Sequence, residues 1–572
     1  MISFYNKHLK QYLENELFVG CSLFLFAFSL RLSFLPHLID DPAFIQPILD
    51  SKEHNWLAHE LINLNGWRMT KFWFHTPGYA YFMALVYKFL GFSVVRLAVV
   101  QYILGSLAAC LVFFMVKRLI NRGAALFAAL LMSVYWMLIY TQSHVFSENL
   151  SMLLNLLTVN FLLFSRDSWR KYLCCGVLLG LSAAVRPEIL LFAGVLWVWL
   201  LIRKLPVITV IRYYGLFVIG VCLCLLPLLI RNHQLSGNVK VQQLIGVNFY
   251  VGSMPEFKGS GIYLMFDSWQ SLLEKFYLER EQADLTREPT EKELNSFYAS
   301  KVIEYIRKHP LQWAGFMAGK IGSVLIGTDY PRSEDVYFYD KYIRAGPYEL
   351  IQTWFICILA MIGIGLSLRQ EPLKFTLPLL FLASYLPVLF FDYRSRFLIS
   401  HMPLLIIFSS YALSVLIDHI QKKRLRDVAS ILSVALALFT CVAWNPMDIA
   451  WPSKAEAYHN IGSNFLYSED PEEAKQYFRK TLGADPMYFI AINDLGVAYM
   501  TSGNFSLAAQ TFQRAIDILP HPLFTANYQM ALRLLEEGRA YDQWEGFPEE
   551  EKKSAELYYD LFPYPYEGAI YQ

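Results

Sequence analysis

Long apolar runs, separated by polar connections that are short except at 36–93 and 231–348, dominate the chain from residue 17 to residue 444. Runs near 17–35, 94–116, 123–141, 146–165, 211–230, 349–368, 374–391, 397–418 and 426–444 each approach the ~20 apolar residues that cross a bilayer as helix. Between 171 and 203 two shorter arms flank Arg186-Pro187. At about 15 residues, or roughly 22 Å of helix, each arm falls short of the ~30 Å hydrocarbon core. The pattern predicts a hairpin whose tip carries an arginine below one membrane surface. A broken helix with a charge at depth is tolerated where it lines a wet cavity or meets an anion. The segment from Pro77 to Gly91 predicts a membrane-embedded helix that does not cross, and the run at 311–327 predicts one that lies along the surface or re-enters. With both hairpin arms counted, the pattern gives about eleven spans.

After Trp444 the pattern changes. Residues 452–572 are polar and contain no 18-residue apolar run. They repeat at an offset of 34: Ile461/Leu495, Gly462/Gly496, Phe465/Tyr499, Ala474/Ala508, Phe478/Phe512 and Pro486/Pro520. Gly, Ala, aromatic and Pro positions recurring at that period are the tetratricopeptide signature. A further helix from Asn527 to Gly538 reads as a partial or capping unit. The expected fold class is therefore all-α, a polytopic membrane helical bundle over residues 1–450 followed by a tetratricopeptide α-solenoid over residues 451–572.

Composition narrows the partners. The chain is 55% hydrophobic and only 17% charged, against about 25% charge in soluble domains. A formal net charge of +1 supplies no basic field for nucleic acid. All eight cysteines lie in apolar runs, which excludes a disulfide framework and a CxxC zinc site. The first run lacks a small-residue cleavage site and is expected to remain as an anchor. Lys117, Arg118 and Arg122, then Arg166, Arg170 and Lys171, then Arg203 and Lys204, and finally Lys422, Lys423, Arg424 and Arg426 mark the cytoplasmic ends. That puts the N-terminus inside. The 36–93 loop, the 142–147 turn, the Arg186 tip, the 231–348 loop, the Arg394/Arg396 turn and the C-terminal repeats then fall outside.

The candidate chemistry lies on that outer side. Directly after the first span, residues Leu49 to Glu60 form a polar, helix-forming stretch that opens with Asp50. Glu148 opens the fourth span, Arg186 sits at the hairpin tip, and Arg394 and Arg396 precede the tenth. Two acids and several arginines on one face suit transfer from an anionic leaving group. An acid takes a proton from the acceptor, and the cations stabilise charge on a departing phosphate. All but Arg186, set apart by its depth, also have a plainer reading. Asp50 fits a solvated loop helix, and Glu148 fits an N-terminal carboxylate complementing the helix dipole, with Ser147 as cap. Arg394 and Arg396 fit interfacial snorkelling, Lys320 fits interfacial anchoring as well as a phosphate contact, and His75 fits a loop. A transporter or lipid flippase carrying a tetratricopeptide adaptor is the alternative class. It would be expected to show repeated halves, and the sequence shows none.

The order of short motifs resembles the membrane glycosyltransferases of the GT-C fold. The likeness is to the dolichyl-phosphate-mannose protein mannosyltransferase-like family (glycosyltransferase family 39) and the related lipid A aminoarabinose transferases. The motifs are Leu49-Asp50 with Ala58-His59-Glu60, Pro77 to Phe82 with Leu90-Gly91, and Lys117-Arg118-Leu119 with Arg122 to Ala125. Ser147 to Leu150, Gly180-Leu181 with Arg186-Pro187, Arg231-Asn232 with Gly237, and Arg396 with Pro403 complete the series, over roughly 17–444. The resemblance implies a polyprenyl-phosphate sugar donor, an acceptor hydroxyl on a protein or glycan, and reaction at the external face of a bacterial inner membrane. Asp50 falls on the family's acidic position after the first span, and Glu148 on a second acidic position. The chain departs at Asp50-Ser51-Lys52, where an acidic partner is common, and at Thr76-Pro77-Gly78. No cofactor is implied with certainty, and a divalent metal stays open.

Overall fold

The computed structural model describes residues 16–38, 44, 47, 49–63, 76–236, 245–257, 291–327, 351–391, 395–444, 454–467, 470–518 and 522–537. Among them every regular element is helical. Six helices are long and apolar enough to cross a membrane: Glu16–Leu38, Val94–Leu119, Val207–Gln234, Thr353–Gln370, Pro372–Phe390 and Arg396–Gln421. A bent pair, Arg122–Val134 and Trp136–Ser143, adds a seventh if it forms one span. Shorter helices, Glu148–Phe164, Trp169–Val185 and Leu191–Ile202, occupy the other expected positions, as does Leu425–Trp444. This is a multi-pass membrane protein.

Side chains set several helix ends. Asn121 accepts from the N–H of Ala124 at 2.9 Å, and Ser168 from that of Lys171 at 3.2 Å; both cap amides that would otherwise lack a partner. Small residues set the closest packing. A Cβ on Gly176 would lie 2.0 Å from the Phe217 carbonyl oxygen, and one on Gly220 would lie 2.4 Å from that of Leu173. Trp169–Val185 and Val207–Ser236 therefore touch backbone to backbone, as small residues permit between membrane helices.

The basic groups gather at one end. Lys117 pairs with Glu16, the Arg118 guanidinium lies 5.2 Å from the Phe164 ring centre, and Asn121 bonds Ser414 at 2.8 Å. There Asp167 accepts from Lys171 at 2.9 Å and from Arg203 at 2.7 Å. Burial alone would raise the Asp167 carboxyl, yet these two cations hold it well below the usual carboxylate range.

Three helices differ from the apolar pattern. The expected span at 123–141 is interrupted at Tyr135, whose backbone is extended (φ −66°, ψ 105°), and its halves meet at 46°. The run at 374–391 is α-helical to Ala383 and then a 3-10 helix over Leu386–Phe390. The run at 397–418 begins as a 3-10 helix, Ser395–His401. The hairpin breaks where expected, with Arg186 extended between Trp169–Val185 and a 3-10 turn at Pro187–Leu190. Helices also form at Gly78–Leu90 and Pro310–Leu325.

The C-terminal helices Lys454–Tyr467, Pro471–Ala484, Phe489–Thr501, Phe505–Ile518 and Pro522–Glu537 are paired repeats. The 34-residue period has a physical basis in one contact made twice. A Cβ on Gly462 would meet the Phe478 ring at 2.7 Å, and one on Gly496 would meet the Phe512 ring at 2.6 Å. Asn527 likewise bonds its period mate Asn493 at 3.0 Å.

Candidate active site

Four residues scattered over 346 positions converge. Asp50 opens the helix Leu49–Asn63. That helix seats Leu57, Ala58 and Leu61 in a cluster with Tyr79, Ala80, Leu97 and Val145. The Ser51 hydroxyl donates to the Val145 carbonyl at 3.1 Å, fixing Asp50 to the turn that leads into Glu148. Arg396, at the start of its 3-10 helix, donates to Asp50 through Nη2, and its Nε lies 3.5 Å from Glu148. Arg186 donates to Glu148 at 2.6 Å through Nη1 and to Glu188 through Nε. The result is one chain of alternating charge: Asp50, Arg396, Glu148, Arg186, Glu188.

Glu148 is the most enclosed member, 1% exposed. It opens its helix as expected for a dipole-complementing acid, but Ser147 makes no capping bond. The two guanidiniums are held against rings: Arg186 lies 4.3 Å from the Phe397 centre, and Arg396 lies 4.9 Å from that of Phe146. Such stacking orients arginine more rigidly than the flexible ammonium of lysine allows. The hairpin tip is clamped from the side. The Thr76 hydroxyl donates to the Val185 carbonyl at 2.7 Å, and a Cβ on Gly78 would lie 2.4 Å from the Ala184 carbonyl oxygen.

Two guanidiniums face three carboxylates, so these five groups together carry one negative charge. In this arrangement each arginine is engaged by acids, and an incoming phosphate must compete with them. Lys52, two residues beyond Asp50, adds a titratable charge on the same helix; burial pulls its ammonium down to about 7.

Lys320 lies elsewhere in the bonding pattern. Its ammonium is buried and donates to the carbonyls of Gly252 at 3.0 Å and Phe391 at 2.8 Å. Arg394 and His75 lie outside the described residues. Glu188 escaped the sequence reading; its only signal was an acid two residues after the arginine of the tip. Tyr385 and His401 also went unnoticed, their rings 4.3 Å apart, the first in the turn before the 3-10 helix Leu386–Phe390 and the second closing Ser395–His401. Among the described residues no group of three or more His, Cys, Asp or Glu stands together as a metal site.

Comparison with known proteins follows the same division of the chain. Residues 74–230 match the family model of dolichyl-phosphate-mannose-protein mannosyltransferase, and residues 455–486 match that of a tetratricopeptide repeat. These matches bear out the resemblance read from the motifs and from the 34-residue period. No curated protein matches the chain. The Archaeoglobus fulgidus oligosaccharyltransferase, crystallised with zinc and sulfate, is 13% identical with a TM-score of 0.41, covering 80% of this chain and 57% of that one. The same enzyme tethered to an acceptor peptide containing the NVT sequon gives 13% and 0.41, covering 82% and 59%. ArnT from Cupriavidus metallidurans bound to undecaprenyl phosphate is 14% identical with a TM-score of 0.34, covering 68% of this chain and 76% of that one. The chain thus spans less than two thirds of the oligosaccharyltransferase.

Proposed function

We propose that the protein is a glycosyltransferase that moves a sugar from a polyprenyl-phosphate donor to an acceptor hydroxyl at the outer face of a bacterial inner membrane. The observation that carries the reading is the charge chain from Asp50 to Glu188, five residues assembled from four separate parts of the sequence. Support from the family comes from the match over residues 74–230, which contains Glu148, Arg186 and Glu188.

The chemistry is a single displacement. The acceptor oxygen attacks the anomeric carbon while the bond from that carbon to the phosphate oxygen breaks. Asp50 takes the hydroxyl proton, and the polyprenyl phosphate leaves with the bonding pair, so configuration inverts. An ion-paired aspartate is a weak base. The donor phosphate removes that handicap by drawing Arg396 away from Asp50, so that donor binding readies the base. Arg186 and Arg396 are the donor-phosphate ligands of this scheme, with Arg394 and Lys320 as further candidates. Glu148 is the second acid, holding both guanidiniums in register.

Tetratricopeptide helices stack into surfaces that bind protein segments. In this scheme they recruit a protein acceptor beside the site. The test is turnover of a panel of polyprenyl-phosphate sugars by the protein in liposomes, read as release of polyprenyl phosphate. Release that depends on protein and acceptor is the expected result. Unaltered donors across hexose and pentose members, with donor bound but never cleaved, would refute transfer and favour a carrier.

A further inference from the structure

The interrupted span between Arg122 and Ser143 leaves backbone groups without helical partners inside the bundle, where water cannot replace them. An unmet carbonyl costs several kcal/mol in such surroundings. Several of them are answered by side chains. Extended Tyr135 turns the N–H of Trp136 away from the Met132 carbonyl, and Arg31 of the first span donates Nη2 to that oxygen at 3.1 Å. At the far end of Trp136–Ser143, the Tyr140 carbonyl lies 3.0 Å from His144 Nδ1, and that of Thr141 accepts from Asn149 at 2.6 Å. Gln101 donates to the carbonyls of Gln142 at 3.1 Å and His144 at 2.9 Å.

Arg31 and Gln101 are joined through this segment. Arg31 Nε donates to the Gln142 side chain at 2.7 Å, and its Nη1 to the Ala27 carbonyl at 3.0 Å. Tyr79 donates to Gln101 at 2.8 Å. Arg31 is fully buried, and its described partners are all neutral oxygens. It has no exposed surface on which to meet a substrate. What it holds is the short helix and the turn beyond it. That turn carries Glu148 directly, and through the Ser51–Val145 bond it carries Asp50.

We infer that Arg31, with Gln101 and Gln142, is a positioning unit that fixes both acids of the site through the Trp136–Ser147 segment. The inference rests on the proposed transfer reaction for its functional consequence, but its structural core stands apart from that reaction. The test pairs hydrogen exchange in lipid nanodiscs with transfer kinetics for Arg31→Gln, Arg31→Lys and Gln142→Met. In Arg31→Gln, exchange over residues 132–148 is expected to rise ~10-fold or more, with the spans Val207–Gln234 and Thr353–Gln370 unchanged. kcat should fall ~10-fold or more and the donor KM should rise by less, because Arg186 and Arg396 are themselves unaltered and lose only the register that Glu148 gives them. Arg31→Lys, which keeps a donor for one of the three oxygens, should recover part of both effects. Gln142→Met keeps the side-chain length and should reproduce the exchange change should Arg31→Gln fail to insert. Unchanged exchange over 132–148 in an inserted variant would overturn the inference, as would a rise spread evenly over all spans. Hydrogen exchange needs no turnover. A wild-type protein that transfers no sugar would therefore sink the proposed function while leaving the exchange result to decide this inference alone.

Discussion

At the residue scale the account rests on which charges compete. Arg396 pairs with Asp50 and faces Glu148, so removing it changes two things at once. Arg396→Gln should raise the donor KM by ~10-fold or more, since a charge-assisted contact of about 1.5–3 kcal/mol is lost. Arg396→Lys should recover only part, because a point charge replaces a planar fork held over Phe146. Steady-state transfer at varied donor checks both. Lys52 supplies a pH test. With its ammonium pulled down to about 7, it is charged below that pH and neutral above it. Thermal stability should therefore rise from about pH 7 to pH 9, where the unfolded chain still binds the proton that the folded chain has released, and Lys52→Gln should flatten that rise. The four converging charges were legible because each ended an apolar run, where a charge is conspicuous. Glu188 was not singled out, and Arg31, Gln101 and Gln142 were not, because one polar residue inside a run shows no partner until the register between helices is known.

At the element scale, the breaks in helices make the site. The Arg186 break was legible from arms too short to cross and from the proline beside it. The Tyr135 break was hidden, because Val134-Tyr135-Trp136 continues an apolar run with no Gly or Pro. What supports it lies on other helices, where a local pattern has no reach. Gly105 probes it from the side: a Cβ there would lie 2.1 Å from the Gln142 amide oxygen. Gly105→Ala should push that amide off Arg31 and lower stability by about 1–3 kcal/mol through overpacking, read as thermal unfolding in detergent. Gly194 is the contrast, with open space around its Cβ. Gly194→Ala should leave unfolding unchanged or raise it slightly, as alanine is the better helix former.

At the scale of the whole molecule, the basic groups sit at one end of the bundle and the charge chain at the other. The division at residue 450 remains a proposal about domains. With the basic ends inside, we propose that the repeats lie outside, on the side of Asp50, where they would raise acceptor concentration locally to the millimolar range for a short linker. Truncation after Asn445 should abolish transfer to a bulk protein acceptor while sparing a small soluble one. Loss of both in an inserted protein would mean that the repeats hold the enzyme together rather than select its acceptor. A single cysteine at Ser502 should label with impermeant reagents from outside only. Labelling from the cytoplasm would reverse the topology. The repeat fold was legible in full because its period repeats one glycine–phenylalanine contact, whereas the ligand it binds leaves no trace in that contact.

The central claim is that Asp50 takes the acceptor proton. Single-turnover transfer by Asp50→Asn, at matched abundance in liposomes with saturating donor, tests it most directly. The amide keeps the size of the side chain and removes the base, so the rate should fall by at least ~100-fold while donor still binds. Transfer at the wild-type rate would contradict the account and move the base to Glu148.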